Sequence, residues 1–326
     1  LFIRTVTGDI GPEELGFTHC HEHLFTGRIE GVGLEKRLLI DSFRRSRGEA
    51  RTFCRYGGRG IVDAQPFGAG RNAACLRKIS EQTGLYIVAS TGFHKSFFYP
   101  RDSWVKTAGV DEITDLCVSE ICEGMYEYDA VDPFKVQSSI RAGIIKIATG
   151  EEGLTALYEK IFRAAAKAHE ITGAPVMTHT ELSRFGYEQT VFLTNAGVRP
   201  EHIIVSHMDR VIDVDSNSRL AEMGVYLEYD TIARYKYHSD EDELSLIGEM
   251  VKQGFGDRIL LGMDTTRERM KAYGGNIGLD YIITTFLPML TNAGVEDRYA
   301  KGFMIGNPGR ALSFAHEGIC SEPEKS

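Results

Sequence analysis

Eight short apolar runs rich in β-branched residues recur along the chain, and most are followed by a longer stretch with helical spacing. They cover residues 16–21, 60–64, 86–91, 144–148, 175–179, 203–207, 225–229 and 259–264. A run that is apolar throughout, rather than alternating, suits a strand buried on both faces. That is the situation of parallel strands covered by helices. Eight such units close into a (β/α)8 barrel, a TIM barrel of the α/β class. A barrel of this kind takes about 250 residues, so 326 residues hold one. A short N-terminal strand segment over about 1–15 and a C-terminal extension over about 316–326 account for the rest. No low-complexity or Pro/Ser-rich linker divides the chain, so a single domain over 1–326 is expected.

The helices between the runs are legible in places. Residues 154–171 carry apolar side chains at helical spacing and stop before Gly173 and Pro175. Segments 213–222 and 241–253 also read as helices, and Gly84 and Gly256 stand just ahead of strands. The long charged segments 28–59 and 108–136 leave helix boundaries open.

A formal charge of −9 makes the chain a poor general partner for nucleic acid or an anionic membrane. No apolar run approaches the length of a membrane span, and the opening at Leu1 lacks the plan of a signal peptide. The chain does not begin with Met, so further residues upstream are expected. The six cysteines form no CxxC pair, and reduced thiols in a cytoplasmic protein are expected.

Polar residues fall where the barrel geometry makes them informative. His21 and His23 close the first run, His179 the fifth, His207 the sixth and Asp264 the eighth, while Lys146 lies inside the fourth. Side chains at the C-terminal ends of barrel strands converge on one site. In His21-Glu22-His23 the period of two aims both imidazoles at one face and Glu22 away from it. Neutral imidazoles suit Zn2+, Mn2+, Co2+ or Fe2+. Alone, each histidine is equally an ordinary core residue; the set at four strand ends points to a metal site. An ammonium inside a buried strand is costly unless paired or chemically altered. Lys146 therefore either pairs with a carboxylate or reacts with CO2 to give an anionic carbamate. Asp264 either caps the following helix or binds metal and moves a proton. His19 shares a face with His21 one layer deeper and reads as a core histidine, and Cys20 as packing.

The motifs GPEELGFT at 11–18, HEHLF at 21–25, IVDA at 61–64, GRN at 70–72 and AGIIK at 142–146 resemble the phosphotriesterase-like family of the amidohydrolase superfamily. THT at 178–180, SHMD at 206–209, GMD at 262–264 and IGNPGR at 305–310 extend the likeness from about residue 2 to 315. The resemblance implies two divalent metal ions, usually zinc, with Mn, Co or Fe as alternatives. His21, His23 and Asp264 would hold one ion, and His179 and His207 the other. A carboxylated Lys146 and a hydroxide would bridge them. Members are often dimers, although no interface is legible here.

Triesterases of the family use an acid–histidine relay, but Arg210 follows Asp209 and Thr231 follows Asp230. The loops TGFHKSF at 91–97, ARYKYH at 233–238 and DTTRERMK at 264–271 resemble the branch that opens phosphorylated sugar lactones, although Met270 stands where that branch carries a Tyr. The resemblance thus implies a lactonase acting on an anionic sugar lactone. Lys95, Lys236 and Arg267 either bind the anionic group or are solvated loop charges. Hydrolysis would proceed by attack of the bridging hydroxide, with Asp264 taking its proton and passing it to the leaving alkoxide. Phosphotriester or phosphodiester hydrolysis by the same centre, and a metal-stabilised binding protein without turnover, are the alternatives. Trp104, Phe93, Phe97, Phe98 and Tyr99 either line the pocket or cover its rim.

Overall fold

The computed structural model describes residues 1–127 and 134–316. The chain opens with an antiparallel hairpin of β1 (Ile3–Thr5) and β2 (Gly8–Ile10). Strands β3 (Phe17–Glu22), β4 (Gly58–Asp63) and β5 (Tyr86–Gly92) follow. A two-stranded excursion of β6 (Tyr126–Glu127) and β7 (Val136–Gln137) interrupts them. The series resumes with β8 (Ile144–Ala148), β9 (Val176–His179), β10 (Ile203–Ser206), β11 (Tyr226–Tyr229) and β12 (Ile259–Leu261). The eight long-range strands pair in parallel in the order β3-β4-β5-β8-β9-β10-β11-β12. The ring shuts beyond the ladder, where the Asp264 amide donates to the His21 carbonyl at 3.1 Å. The expected (β/α)8 barrel is the observed fold.

Strand periodicity divides the core in two. Val62, Val88, Ile144, Met177, Ile204 and Leu260 fill the barrel interior. Their neighbours Ile61, Ile87, Ile145, Ile147, Ile203 and Val205 pack outward beneath the helices. Lys146 lies between two outward residues of β8, so its side chain is directed inward. Ile3, Leu15 and Leu312 close the opposite end of the barrel.

Each legible helix ends for a local reason. Ala156–Thr172 stops at Gly173, whose φ of +76° gives the left-handed turn that glycine tolerates. Asp213 caps Val214–Glu222 by accepting from the Ser216 amide at 3.0 Å, and Ser239 caps Asp240–Lys252. In the first ambiguous segment the structure has a turn at Lys36–Leu38 and a helix at Phe43–Arg55. The second contains the helix Val110–Cys122 and then the β6–β7 excursion. Arg71, from the GRN motif, forms a buried two-pronged pair with Glu120 at 2.9 and 2.6 Å. Asn307 donates to the carbonyls of Gly256 and Ile259, tying the last described helix to β12.

Cys20, Cys54, Cys75 and Cys117 carry free thiols, but Cys122 is disulfide-bonded, so the expectation of reduced thiols throughout does not hold. No helix among the described residues is long and apolar enough to cross a membrane. Most of the expected C-terminal extension lies outside the described residues.

Gly92 sets the approach of β5 to β8. It has φ +88°, and a Cβ there would sit 2.1 Å from the Lys146 carbonyl oxygen. That carbonyl accepts from the Phe93 amide at 2.7 Å. Gly92→Ala is expected to destabilise the protein by roughly 2–4 kcal/mol through backbone strain and overpacking. Urea unfolding of the purified variant measures this, and an unchanged midpoint would contradict it.

Candidate metal centre at the barrel mouth

The strand ends bring the expected groups together. His179 is the last residue of β9, and His207 follows β10 directly. The His207 Nε2 and His179 Nδ1 atoms face each other at 2.7 Å. His23 Nε2 lies 3.2 Å from Asp264 Oδ1, and the His21 and His207 rings are 4.8 Å apart. Donor atoms of His21, His23 and Asp264 fall within 4.8 Å of one another, as do those of His21, His207 and Asp230. Lys146 is buried among them, with Nζ 3.4 Å from Ser206 Oγ. His207 and Asp264 hold φ angles of +65° and +40°, strained for non-glycine residues. Such strain persists where the surrounding structure over-determines the side-chain position.

A ring of carboxylates holds the imidazoles from behind. His21 Nδ1 donates to Glu228 Oε2 at 2.7 Å, and His207 Nδ1 to Asp230 Oδ1 at 2.6 Å. Each bond commits one ring nitrogen and leaves Nε2 facing the centre with a lone pair. This is the outer-shell pattern of metal-ligating histidines. Glu22 accepts from the amides of Met263 and Thr265, from the Thr265 hydroxyl and from His19 Nδ1, locking the turn that presents Asp264. Asp63 does the same for the turn after His23, accepting from the amides of Leu24 and Gln65. His19 does not stack beneath His21 as expected. The register of β3 shifts between His19 and Glu22, and His19 turns to the helix layer, its ring 4.6 Å from Phe53.

Protonation favours ligation. Burial lowers His21, and burial with neighbouring positive charge takes His179 and His207 well below the usual histidine range. These imidazoles are therefore neutral near pH 7. Burial brings Lys146 down to about 8, against the opposing pull of Glu228 and Asp230. Burial alone would raise Asp264, but Arg234, His23 and His207 hold it well below the usual carboxylate range. His23 moves upward despite its burial because Asp264 bonds to it. Two facing imidazole nitrogens, a carboxylate beside a third ring and a buried amine form a donor set that fits divalent cations.

The centre floors a cavity of about 610 Å3, within the range of small-molecule sites. Lys95 and Lys236 stand on its wall, with Lys95 paired to Glu181. Arg267 does not: its guanidinium binds the Leu39 carbonyl at 2.8 Å and Asp41 at 2.9 Å. Arg37, Arg101, Arg210 and Arg234 line the cavity instead, and Arg210 and Arg234 both bond to Asp264. Phe97, Phe98 and Tyr99 line it, whereas Phe93 and Trp104 pack against each other behind. The segment Gly31–Leu38 forms another part of the wall, and its sequence carried no signal for that role.

Imidazoles pinned from outside by carboxylates, at the C-terminal mouth of a (β/α)8 barrel, define the class of metal-dependent barrel hydrolases. Within that class the chain belongs to the phosphotriesterase family, whose model matches residues 2–312. It is 33% identical to a phospho-furanose lactonase of Mycoplasmopsis synoviae (strain 53), covering 96% of this chain and 92% of that one. The structure of a lactonase from Listeria monocytogenes superposes with a TM-score of 0.88 at 31% identity, covering 96% and 99% of the two chains. The phosphotriesterase homology protein of Escherichia coli, solved with phosphate in its active site, gives a TM-score of 0.84 at 31% identity, with 92% and 99% covered.

Glu228→Gln keeps a hydrogen-bond acceptor for His21 and removes the charge behind it. Loss of such an outer partner typically costs 10- to 100-fold in metal affinity. Zn2+ competition against a chromophoric chelator is expected to show a weakening of about that size, and unchanged affinity would remove Glu228 from the support of the centre.

Proposed function

We propose that the chain hydrolyses lactones, with a sugar lactone bearing an anionic group such as phosphate as its substrate class. The observation that carries the reading is the division of the cavity: imidazoles and Asp264 form its floor, and Arg37, Lys95, Arg101 and Lys236 on its wall outnumber the acids Glu35 and Glu181 there. In a chain of charge −9, that wall is a local exception suited to an anion remote from the reacting bond. Relatives named as lactonases, one of them as acting on a phospho-furanose, support the same reading.

His21, His23 and Asp264 would hold one divalent ion and His179 and His207 a second, zinc being the favoured element, with a carbamate of Lys146 between them. Bound there, the ions would acidify water and polarise the lactone carbonyl. Lys95 and Lys236, with Arg37 and Arg101 on the same wall, bind the anionic group and set the ring over the floor. Arg267 is held by Asp41 and Leu39 and is left out of this site. Asp264 stays ionised at neutral pH, so it accepts the proton of the attacking water and returns it to the departing alkoxide. Arg210 and Arg234 orient that carboxylate. The rings of Phe97 and Phe98 keep one side of the cavity dry.

Phosphotriester hydrolysis is disfavoured by Arg210 and Thr231, which stand where the relay of dedicated triesterases needs an acid and a histidine. A panel of free and phosphorylated γ- and δ-sugar lactones with one aryl phosphotriester decides between them. Fastest turnover is expected on a phosphorylated lactone; faster turnover of the triester than of every lactone would overturn the assignment.

Asp264→Asn is expected to lower kcat by about 10²- to 10⁴-fold with metal content nearly intact. Wild-type kcat in a metal-loaded variant would exclude the proton-transfer role. Lys236→Ala should raise KM for a phosphorylated lactone roughly tenfold, in line with loss of one charged hydrogen bond, and leave the unphosphorylated lactone unchanged. An amine brought down to about 8 has an uncharged fraction near neutral pH that can react with CO2. Reactivation of metal-free protein by Zn2+ should therefore be slow in carbonate-free buffer and quicken with bicarbonate; indifference to bicarbonate would argue against the carbamate.

A further inference from the structure

Behind the barrel mouth lies a second cluster of metal-ligating side chains that the reaction does not use. Glu228 and Asp230 of β11 and its C-terminal end serve the histidines, whereas Tyr229 between them faces the helix layer. There it feels the charges of Asp209, from the loop after β10, and Glu243, from the helix Asp240–Lys252, and these two group with His238 from the end of the loop after β11. One donor atom from each of Asp209, His238 and Glu243 falls within 4.8 Å of the others. His238 Nε2 is 3.2 Å from Glu243 Oε2.

The cluster leaves buried polar atoms unsatisfied. Asp209, Tyr229 and Glu243 are fully buried. Both carboxylate oxygens of Glu243, Oδ1 of Asp209 and the Tyr229 hydroxyl have no hydrogen-bond partner. Only Oδ2 of Asp209 is satisfied, by the Thr231 amide at 2.6 Å. His238 Nδ1 donates to the Ser239 carbonyl at 2.9 Å, which turns Nε2 toward Thr231 Oγ1 and Glu243. Buried carboxylate oxygens without a hydrogen-bond donor are costly unless a cation or protons join them. Burial and the neighbouring Asp209 accordingly push the Glu243 carboxyl well above its usual range.

We propose that Asp209, His238 and Glu243 bind a divalent transition-metal ion of the Zn2+ type at a site separate from the centre at the barrel mouth. Two carboxylate oxygens and one imidazole nitrogen at this spacing are a three-ligand set for such an ion, and a water supplies a fourth position. The ion joins the loop after β10, the loop after β11 and the following helix. Between Thr231 and His238 that second loop carries Arg234 and Lys236 to the cavity wall. The ion is therefore structural, and it fixes the base of the cationic wall.

The test uses wild-type protein equilibrated with Zn2+ and crystallised, with anomalous scattering recorded above and below the zinc edge. A peak bounded by Asp209, His238 and Glu243 is expected. Peaks at the barrel mouth with none between these residues would overturn the site. In solution, wild type should retain about one more equivalent of zinc than Glu243→Gln after gel filtration. His238→Gln replaces that variant if it does not fold. Equal zinc in wild type and either folded variant would also overturn the proposal. A missing peak at the mouth would count against the reading of that centre alone, because the two sites share no ligand.

Discussion

The structure depends on keeping ionisable groups inside a barrel without leaving them uncompensated. The imidazoles of His21 and His207 have carboxylates behind them at hydrogen-bond distance, and the charges of Glu228 and Asp230 ease the burial of the Lys146 amine. Glu228 behind His21 and Asp230 behind His207 fix which nitrogen carries the proton. Glu22 and Asp63 are spent on backbone amides, so the turns that present Asp264 and His23 are rigid. Removing any one of these acids would free a donor and a geometry together.

The same economy links floor and wall. Arg210 and Arg234 neutralise Asp264 and at the same time border the cavity. A carboxylate held this low stays anionic across the neutral range, while the imidazoles of His179 and His207 stay neutral. Opposite protonation states a few ångströms apart arise from burial on one side and paired charge on the other. The acidic surface of the protein does not contradict a cationic pocket, because exposed charges beyond about 8–10 Å are screened by salt.

Where sequence reading fell short, the causes are specific. A register shift in β3 broke the alternation that was to carry His19 beneath His21. Arg267 sits in the loop that promised a substrate contact, but Asp41 and the Leu39 carbonyl hold it, and the approach of those residues is set by packing over two hundred positions apart. Glu228 looked like one more residue of an apolar run, and its role appears only once β11 is seen beside His21. Gly31–Leu38 forms cavity wall with no motif of its own.

By itself the sequence determined the eight strands, their parallel arrangement and the chemical types at their ends. Those features are local: β-branched runs, a period of two and the stops at glycine act within a few residues. The tertiary structure alone decided which atoms meet. Closure of the ring between β3 and β12 brings His21 and Asp264 together, the inward face of β11 supplies the carboxylates, and loop packing chooses which cations reach the cavity. Orientation across a barrel depends on contacts between segments far apart in the chain, and no local pattern encodes them.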